Sequence, residues 1–579
     1  MEITTGDVLA MLAEIAELEV LDEGSPNAFR VRAYQNAIAG IEAAGVDVTE
    51  LSEDELVRIK GVGRSIAQKI REYVETGKVA KLEELRAKYP PEFVALTRVP
   101  GLGPKTALKL REALGVQNLD DLKAAIDAHA VRELPGFGAT SEEKLAKAIE
   151  RLGLVGKERR TPIADALPLA ERLVQRLAAV EGVDRVQYCG SLRRFRDTIG
   201  DIDIVVAATD PTPVMETVTD LPDTAEVIGT GETKTSIVTR EGMQVDVRVV
   251  EPVQYGAALL YFTGSKAHNI ALRQRAIEQG RLLNEYGLFV ANTEEVVASE
   301  TEEEIYMALG LDYIAPTLRE DTGEVEAAAG HTLPELVQRR HIRGDLHFHT
   351  DRSGDGRASV EEMVAAAAEA GYRYVAITDH GENLAVNGAS REEMLAHRDH
   401  IRRVQEQYPK LKLLWGCELN IGPDGSLDYD PDFRRELEWN VASVHSHFDL
   451  SQAEQTDRLL RAIADPAVDV IGHLTGRSIG RRPGIEIDVD AVLDALVEHD
   501  VALEVNGALQ RLDAAPEVVR RAVAKGVTLT VSTDAHHPSE LVRMDYGVLA
   551  AQRGWAAKAD VLNTKPTRSF LAWLRRRRR

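Results

Sequence analysis

Three aspartates, Asp201, Asp203 and Asp246, have the type and spacing to hold divalent cations. The first two sit in Gly-Asp-Ile-Asp-Ile-Val-Val and the third in Val-Asp-Val-Arg-Val. Both segments are rich in β-branched residues and predict strands. Side chains at i and i+2 of a strand share a face, so Asp201 and Asp203 point the same way. With Asp246 on a neighbouring strand, three carboxylates would converge and repel one another unless a cation lay among them. Hard oxygen ligands with open positions suit Mg2+ or Mn2+ carrying a nucleoside triphosphate. Upstream, Gly190-Ser191-Leu192-Arg193-Arg194 follows an apolar run from Val183 to Cys189. A Gly-Ser turn that ends a strand and opens a helix presents backbone N–H groups to a phosphate, and Arg194 can add a charge-assisted contact.

A second constellation starts at Asp345-Leu346-His347-Phe348-His349, which puts two imidazoles on one strand face, and Asp355 follows. Further apolar runs end at His380, Glu418, His445 and His473, and another leads into Asp534-Ala535-His536. Ligand-type residues at the C-terminal ends of strand-like runs, with helical segments between, are how barrel enzymes assemble sites. Mixed imidazole and carboxylate donors suit Zn2+, Mn2+ or Fe2+, and nine such residues suffice for about three ions. His447 and Arg477 lie near these ligands and are further candidates for phosphate contact.

The elements that must position these groups fall into blocks. Residues 1 to about 155 are helical in pattern and carry three related hairpins. These are Ile-Lys-Gly61-Val-Gly63, Val-Pro-Gly101-Leu-Gly103 and Leu-Pro-Gly136-Phe-Gly138. Glycines permit the tight turn, and the helix start that follows can hold a DNA backbone phosphate without reading sequence. Strands then alternate with helices to about residue 250, and a helical, then mixed, segment runs to about 318. The stretch from Arg319 to about Arg340 is acidic, then alanine-rich, and is expected to be a linker.

At 579 residues the chain needs several domains. Its 44% hydrophobic and 28% charged content is that of a globular protein, with no run of membrane-spanning length and no signal peptide. Two cysteines, Cys189 and Cys417, exclude a disulfide framework and fit a reducing cytoplasm. A net charge of -24 implies weak non-specific affinity for nucleic acid, with help from bound metal. The run Arg575–Arg579 is expected to be a solvated, partly disordered end.

Gly-Ser, an Asp-x-Asp ten residues later and a third strand aspartate form the pattern of nucleotidyltransferases. With Tyr261-Phe262-Thr263-Gly264-Ser265-Lys266, then Asn269, Arg273 and Asn284-Glu285-Tyr286, residues 1 to about 318 resemble the family X DNA polymerases. That resemblance implies that Asp201 and Asp203 bind two metals and that Asp246 binds the one activating the primer 3′-hydroxyl. It also implies that Gly190, Ser191, Arg194 and Gly200 hold the triphosphate. Tyr261, Phe262 and Gly264 then form the sugar-discriminating turn, Asn269 touches the incoming base and Arg273 the template. Lys266 stands where relatives carry an acidic residue, so its cation faces nucleotide or template. Lys69 matches the Schiff-base lysine of the family's 5′-deoxyribose phosphate lyases, with Ser65 in place of a second lysine. The second constellation resembles the polymerase and histidinol phosphatase (PHP) domain, a (β/α)7-type barrel, and fills all nine of its ligand positions. It implies a phosphoesterase in which metal-activated water attacks phosphorus, acting on a DNA 3′ end.

The expectation is a multidomain α/β protein. A helical lyase-like domain with the first hairpin (1–85) precedes a helical DNA-binding domain with the other two (86–156). A nucleotidyltransferase palm (157–254), a nucleotide-selecting subdomain (255–318), a linker (319–341) and a PHP domain (342–579) follow. The expected task is gap filling in DNA repair, base excision repair or end joining, with 3′-end processing on the same chain. The expected partners are gapped or nicked DNA, dNTPs and other repair proteins, for a monomer in the cytoplasm at the nucleoid. The rival is a small-molecule or tRNA nucleotidyltransferase fused to a sugar-phosphate or histidinol phosphatase, which has no use for three DNA-backbone hairpins. A non-catalytic end-joining scaffold has no use for complete ligand sets.

Overall fold

Apolar stripes at helical spacing make the N-terminal unit entirely helical among the described residues. Its longer helices are Thr5–Glu23, Phe29–Ala44, Arg64–Thr76, Ala80–Lys88, Pro104–Leu114 and Leu119–Asp127. The computed structural model describes residues 3, 5–23, 28–44, 48–49, 51–97, 102–139, 141–143, 145–146, 160–384 and 388–578. The chain forms two units, Met1–Arg159 and Arg160–Arg579. In the first, Leu12, Ile15, Ile41, Ile70, Phe93 and Leu110 share one core.

The hairpin glycines do different jobs. Gly61 has φ +92°, and a Cβ there would lie 2.4 Å from the Asn36 carbonyl oxygen, so that turn admits no side chain. Gly63 and Gly103 precede the helices Arg64–Thr76 and Pro104–Leu114 in extended conformation, and a Cβ on either would meet open space. A phosphate can therefore approach those helix starts. Gly136 has φ +90°, and the Gly138 carbonyl accepts the N–H groups of Ser141 and Glu142. Gly101 lies outside the described residues.

The second unit opens with the palm. Its strands are β1 (Val183–Tyr188), β2 (Ile202–Ala208), β3 (Thr224–Thr230), β4 (Lys234–Thr239) and β5 (Gln244–Val250), in spatial order β1-β2-β5-β4-β3. Only β2 and β5 pair in parallel. The helix Ile163–Ala178 packs seven buried apolar residues over this sheet. Helices Tyr255–Thr263 and Lys266–Glu278 follow, with a small antiparallel sheet of β6 (Arg281–Asn284), β7 (Gly287–Val290) and β8 (Val296–Ala298).

The stretch expected to be a linker is instead folded. Arg319 is fully buried and ion-pairs with Glu302 at 2.6 Å, while buried Glu324 meets His268 Nδ1 at 2.7 Å. A buried charge must be paired, and these pairs pin the segment to the helices before it.

Seven parallel strands in sequential order then form the barrel. They are β9 (Gly344–Phe348), β10 (Tyr374–Ile377), β11 (Lys412–Asn420), β12 (Trp439–Ser443), β13 (Val470–Ile471), β14 (Ala502–Asn506) and β15 (Leu529–Ser532). A bridge between Phe348 and Ala535 brings the first and last strands together. Apart from Lys412 at the edge, every residue of these strands is buried, as a parallel sheet covered on both sides requires. The arginine run also departs from expectation. Helix Thr567–Arg577 buries Phe570, Trp573 and Leu574 against Tyr374, Trp439, Val470 and Ala502, the first residues of their strands. It thereby closes the N-terminal end of the barrel. Arg577 and Arg578 pair with buried Asp469 and are tied down, whereas Arg575 and Arg576, the latter paired with Asp500, stay exposed to solvent. Arg579 lies outside the described residues.

Candidate metal centres

In the palm, the parallel register sets Asp203 directly opposite Asp246. Asp201 lies one residue before β2 and shares the face of Asp203. Burial pushes Asp203 up to about 7, with the charges of Asp201 and Asp246 adding to it. For Asp246 burial is overcome by Lys234, whose Nζ lies at 2.8 Å, and by Gln244, so its carboxyl is held below the usual range. A cluster with a surplus of carboxylate and one protonated member near neutrality fits a site for divalent cations, which would displace that proton.

The turn before it is built for close approach. Gly190 has φ +61°, and a Cβ there would sit 2.8 Å from Asp203 Oδ2. The short helix Gly190–Arg193 carries Ser191 one residue after that close approach. Gly200 lies in an exposed bend, and a Cβ there would meet only Arg160, at 3.7 Å. Arg194 is engaged with Glu320 at 3.1 Å and the Thr263 carbonyl at 2.5 Å. Its guanidinium therefore braces the turn at Gly264, where φ is +66°. Tyr261 and Phe262 meet edge to face, with Arg248 over the Phe262 ring. Asn269 donates to the Tyr261 carbonyl at 2.7 Å, and Arg273 to the Asn269 carbonyl at 3.3 Å. Lys266 is exposed at the start of its helix, which Ser265 caps. Beneath, Arg193 and Arg319 grip the two oxygens of Glu302.

In the barrel, all nine expected side chains converge. Glu418 is the hub, with its oxygens 2.9 to 3.5 Å from ring nitrogens of His347, His349, His380, His445 and His473. Asp534 reaches His349 at 3.4 Å, and Asp355 reaches His380 and His536 at 3.5 and 3.4 Å. Three groupings have metal-like spacing: His349, His380 and His536; His347, His349 and Asp534; His380, Glu418 and His445. Among the described residues, buried His473 Nδ1 has no hydrogen-bond partner. Burial and the neighbouring imidazoles push His349 down to about 4, while His380 rises to about 10 because Glu418 and Asp355 outweigh its burial. Imidazole and carboxylate donors gathered at this spacing fit a multinuclear divalent-metal centre, whose ions would displace the ring protons.

Several contributors carry no spacing signal. Glu504 accepts from His347 Nδ1 at 2.7 Å and from the His473 N–H. Asn420 holds His445, Ser353 holds His349 and Asn506 holds Asp534. Such partners fix ring orientation and raise ligand basicity. A glutamate inside an otherwise apolar strand run is the one clue to Glu504 that the sequence offers. Arg477 pairs with Asp197 of the palm at 2.9 Å, and the His447 carbonyl accepts from Gln455. In the first unit, Lys69 Nζ donates to Ser65 Oγ at 2.8 Å, and burial lowers its pKa.

Comparison with known proteins agrees with this architecture. Residues 5–79 match a helix-hairpin-helix domain and 93–151 a SAM-like helix-hairpin-helix tandem. Residues 258–320 match the DNA polymerase beta thumb and 345–508 the PHP domain. The DNA polymerase/3′-5′ exonuclease PolX of Bacillus subtilis is 38% identical over 98% of this chain and 99% of its own. A "probable phosphatase" of Vibrio atlanticus is 28% identical over 40% of this chain and 93% of its own, and one of Vibrio vulnificus 30% over 35% and 82%. The chain therefore belongs to the bacterial PolX family, the family X DNA polymerases that carry a C-terminal PHP domain.

Proposed function

We propose that this chain is a template-directed DNA polymerase that fills short gaps during repair and trims DNA 3′ ends with its barrel. The observation that carries this is the presence of two complete centres on one chain, the Asp203–Asp246 pair and the Glu418-centred cluster. Asp201, Asp203 and Asp246 would hold Mg2+ or Mn2+. When bound, such ions lower the pKa of the primer 3′-hydroxyl and neutralise the leaving pyrophosphate. The chain's own contribution is position. The Gly190–Ser191 turn presents N–H groups to the triphosphate, Lys234 and Gln244 orient Asp246, and Arg194 steadies the turn under the sugar. Tyr261 and Phe262 bound the sugar, Asn269 faces the base and Arg273 the template.

In the barrel the nine donors would hold about three ions, Mn2+, Zn2+ or Fe2+, which supply an activated water to phosphorus. Glu504 keeps the His347 ring in the tautomer that offers Nε2. Lys69, with its lowered pKa, is suited to a lyase step on a 5′-deoxyribose phosphate. The hairpins of the first unit hold the DNA backbone. Buried free cysteines accord with a cytoplasmic setting at the nucleoid.

The test is a one-nucleotide-gapped duplex with Mg2+ or Mn2+, with and without dNTPs. Asp203→Ala is expected to lose extension and keep 3′ degradation, and His347→Ala the reverse. Unchanged extension in the first, or unchanged degradation in the second, refutes the corresponding assignment.

A further inference from the structure

Between the palm and the barrel lies a cavity of about 610 Å³, lined by Arg196 on the palm side and by Arg477, Arg481, Arg482 and Arg553 from the barrel. Against five guanidiniums the walls offer two carboxylates, Asp197 and Glu517. Asp197 is shared by Arg477 at 2.9 Å and Arg553 at 3.2 Å, and Glu320 by Arg194 and Arg196. Among the described residues, Arg481 and Arg482 have no carboxylate within ion-pair distance. The Arg553 side chain is 9% exposed, its Nε has no hydrogen-bond partner among the described residues, and burial lowers its pKa. Arg196, Arg481 and Arg482 are exposed, so their guanidiniums are open to an anion arriving from solvent. On a chain of net charge -24, this concentration is not a by-product of composition.

The wall is also closely packed. Gly480 has φ +74°, and a Cβ there would lie 2.8 Å from Pro162, so the arginine loop is pressed onto the palm. A Cβ on Gly476 would strike Phe448 at 2.7 Å, and Arg482 lies over that ring at 3.8 Å. The loop starts four residues after His473. Arg477 donates to the carbonyls of Arg511 and Leu512, and Arg511 Nε lies 3.8 Å from Asp534 of the metal cluster. A run of guanidiniums thus leads from the palm to the barrel centre.

We propose that this cavity binds the backbone phosphates of a single DNA strand whose 3′ end enters the barrel centre. This rests on the nuclease reading for its direction, but not for the binding itself. Guanidiniums fork onto phosphate oxygens, and a row of them tracks a backbone without reading bases.

The test uses the full chain carrying His347→Ala, with single-stranded oligonucleotides containing 4-thiothymidine and a fluorescein label. Ultraviolet irradiation is expected to cross-link the oligonucleotide to the peptide spanning 477–484. Arg481→Ala is expected to weaken that cross-link, to raise the anisotropy-derived Kd roughly tenfold, and to reduce the slope of log K against log salt by about 0.7. Arg196→Ala should do the same from the palm side. An absent cross-link with unchanged slopes overturns the proposal. So does loss of affinity for dAMP or pyrophosphate with oligonucleotide binding intact, which would make the site one for free nucleotide. If the cross-link forms but wild type degrades no 3′ ends, the strand site stands and the nuclease reading falls.

Discussion

Asp203 and Asp246 face each other in register on adjacent parallel strands, yet their carboxyls are pushed in opposite directions. Burial and two like charges raise Asp203 to about 7, while the Lys234 ammonium outweighs burial at Asp246. A carboxyl raised in the fold carries a stability cost absent at low pH. That cost appears between the unfolded value of 3.8 and the folded value of about 7, and is complete above it. Asp203→Asn in metal-free protein is therefore expected to raise the thermal midpoint at pH 8 and leave it nearly unchanged at pH 4. Every tenfold change in proton affinity corresponds to about 1.4 kcal/mol. The same variant should lose extension on the order of a thousandfold. Scanning calorimetry of both proteins at the two pH values decides it, and an equal or lower midpoint at pH 8 contradicts the account.

Glu504 lies behind the barrel centre and touches it through His347 and His473, and through Asn506, which also holds Asp534. Glu504→Gln keeps the shape but removes the charge that holds the imidazole. Barrel metal affinity and 3′ degradation should fall by about 10- to 100-fold, with gap filling intact. Metal titration alongside both assays checks this. Equal losses in both activities would point instead to a general folding defect.

Glu302, clasped by Arg193 and Arg319, is held down to about 2 because the two guanidiniums outweigh its burial. A depressed carboxyl contributes stability that is present above its unfolded value of 4.5. That contribution fades as pH falls toward about 2. Glu302→Gln strands two buried cations and is expected to cost about 3–5 kcal/mol at pH 7. Denaturant unfolding at pH 7 and pH 3 should show the gap between variant and wild type shrinking at the lower pH. A constant gap would assign the loss to packing rather than charge.

Lys69 is partly buried, and that burial lowers its pKa. A Schiff base needs a neutral amine, so borohydride is expected to trap a covalent adduct with 5′-deoxyribose phosphate DNA. Lys69→Arg keeps the cation and cannot form the imine. Its adduct should disappear while DNA affinity stays within about twofold. A persistent adduct would move the nucleophile elsewhere.

What could be read along the chain was whatever depends on short spacing. Asp201 and Asp203 share a face because strand side chains alternate, and eight of the nine metal-ligand candidates, all but Asp355, lie in or just after apolar runs because parallel barrels expose strand ends. The three glycine hairpins were legible from local spacing in the same way. The pairing of Glu504 with His347, 157 residues apart, depends on which strands become neighbours. So do the grip of Arg193 and Arg319 on Glu302 and the contact of Arg477 with Asp197. Two misreadings share that cause. The stretch after Arg319 resembled a linker, and Arg577 and Arg578 part of a solvated tail, because composition records charge but not its burial. Which groups could do chemistry, and which elements carry them, follows from local order along the chain. How each charge is paired follows only from the tertiary fold, because the distances between remote residues are set by the packing of the whole molecule.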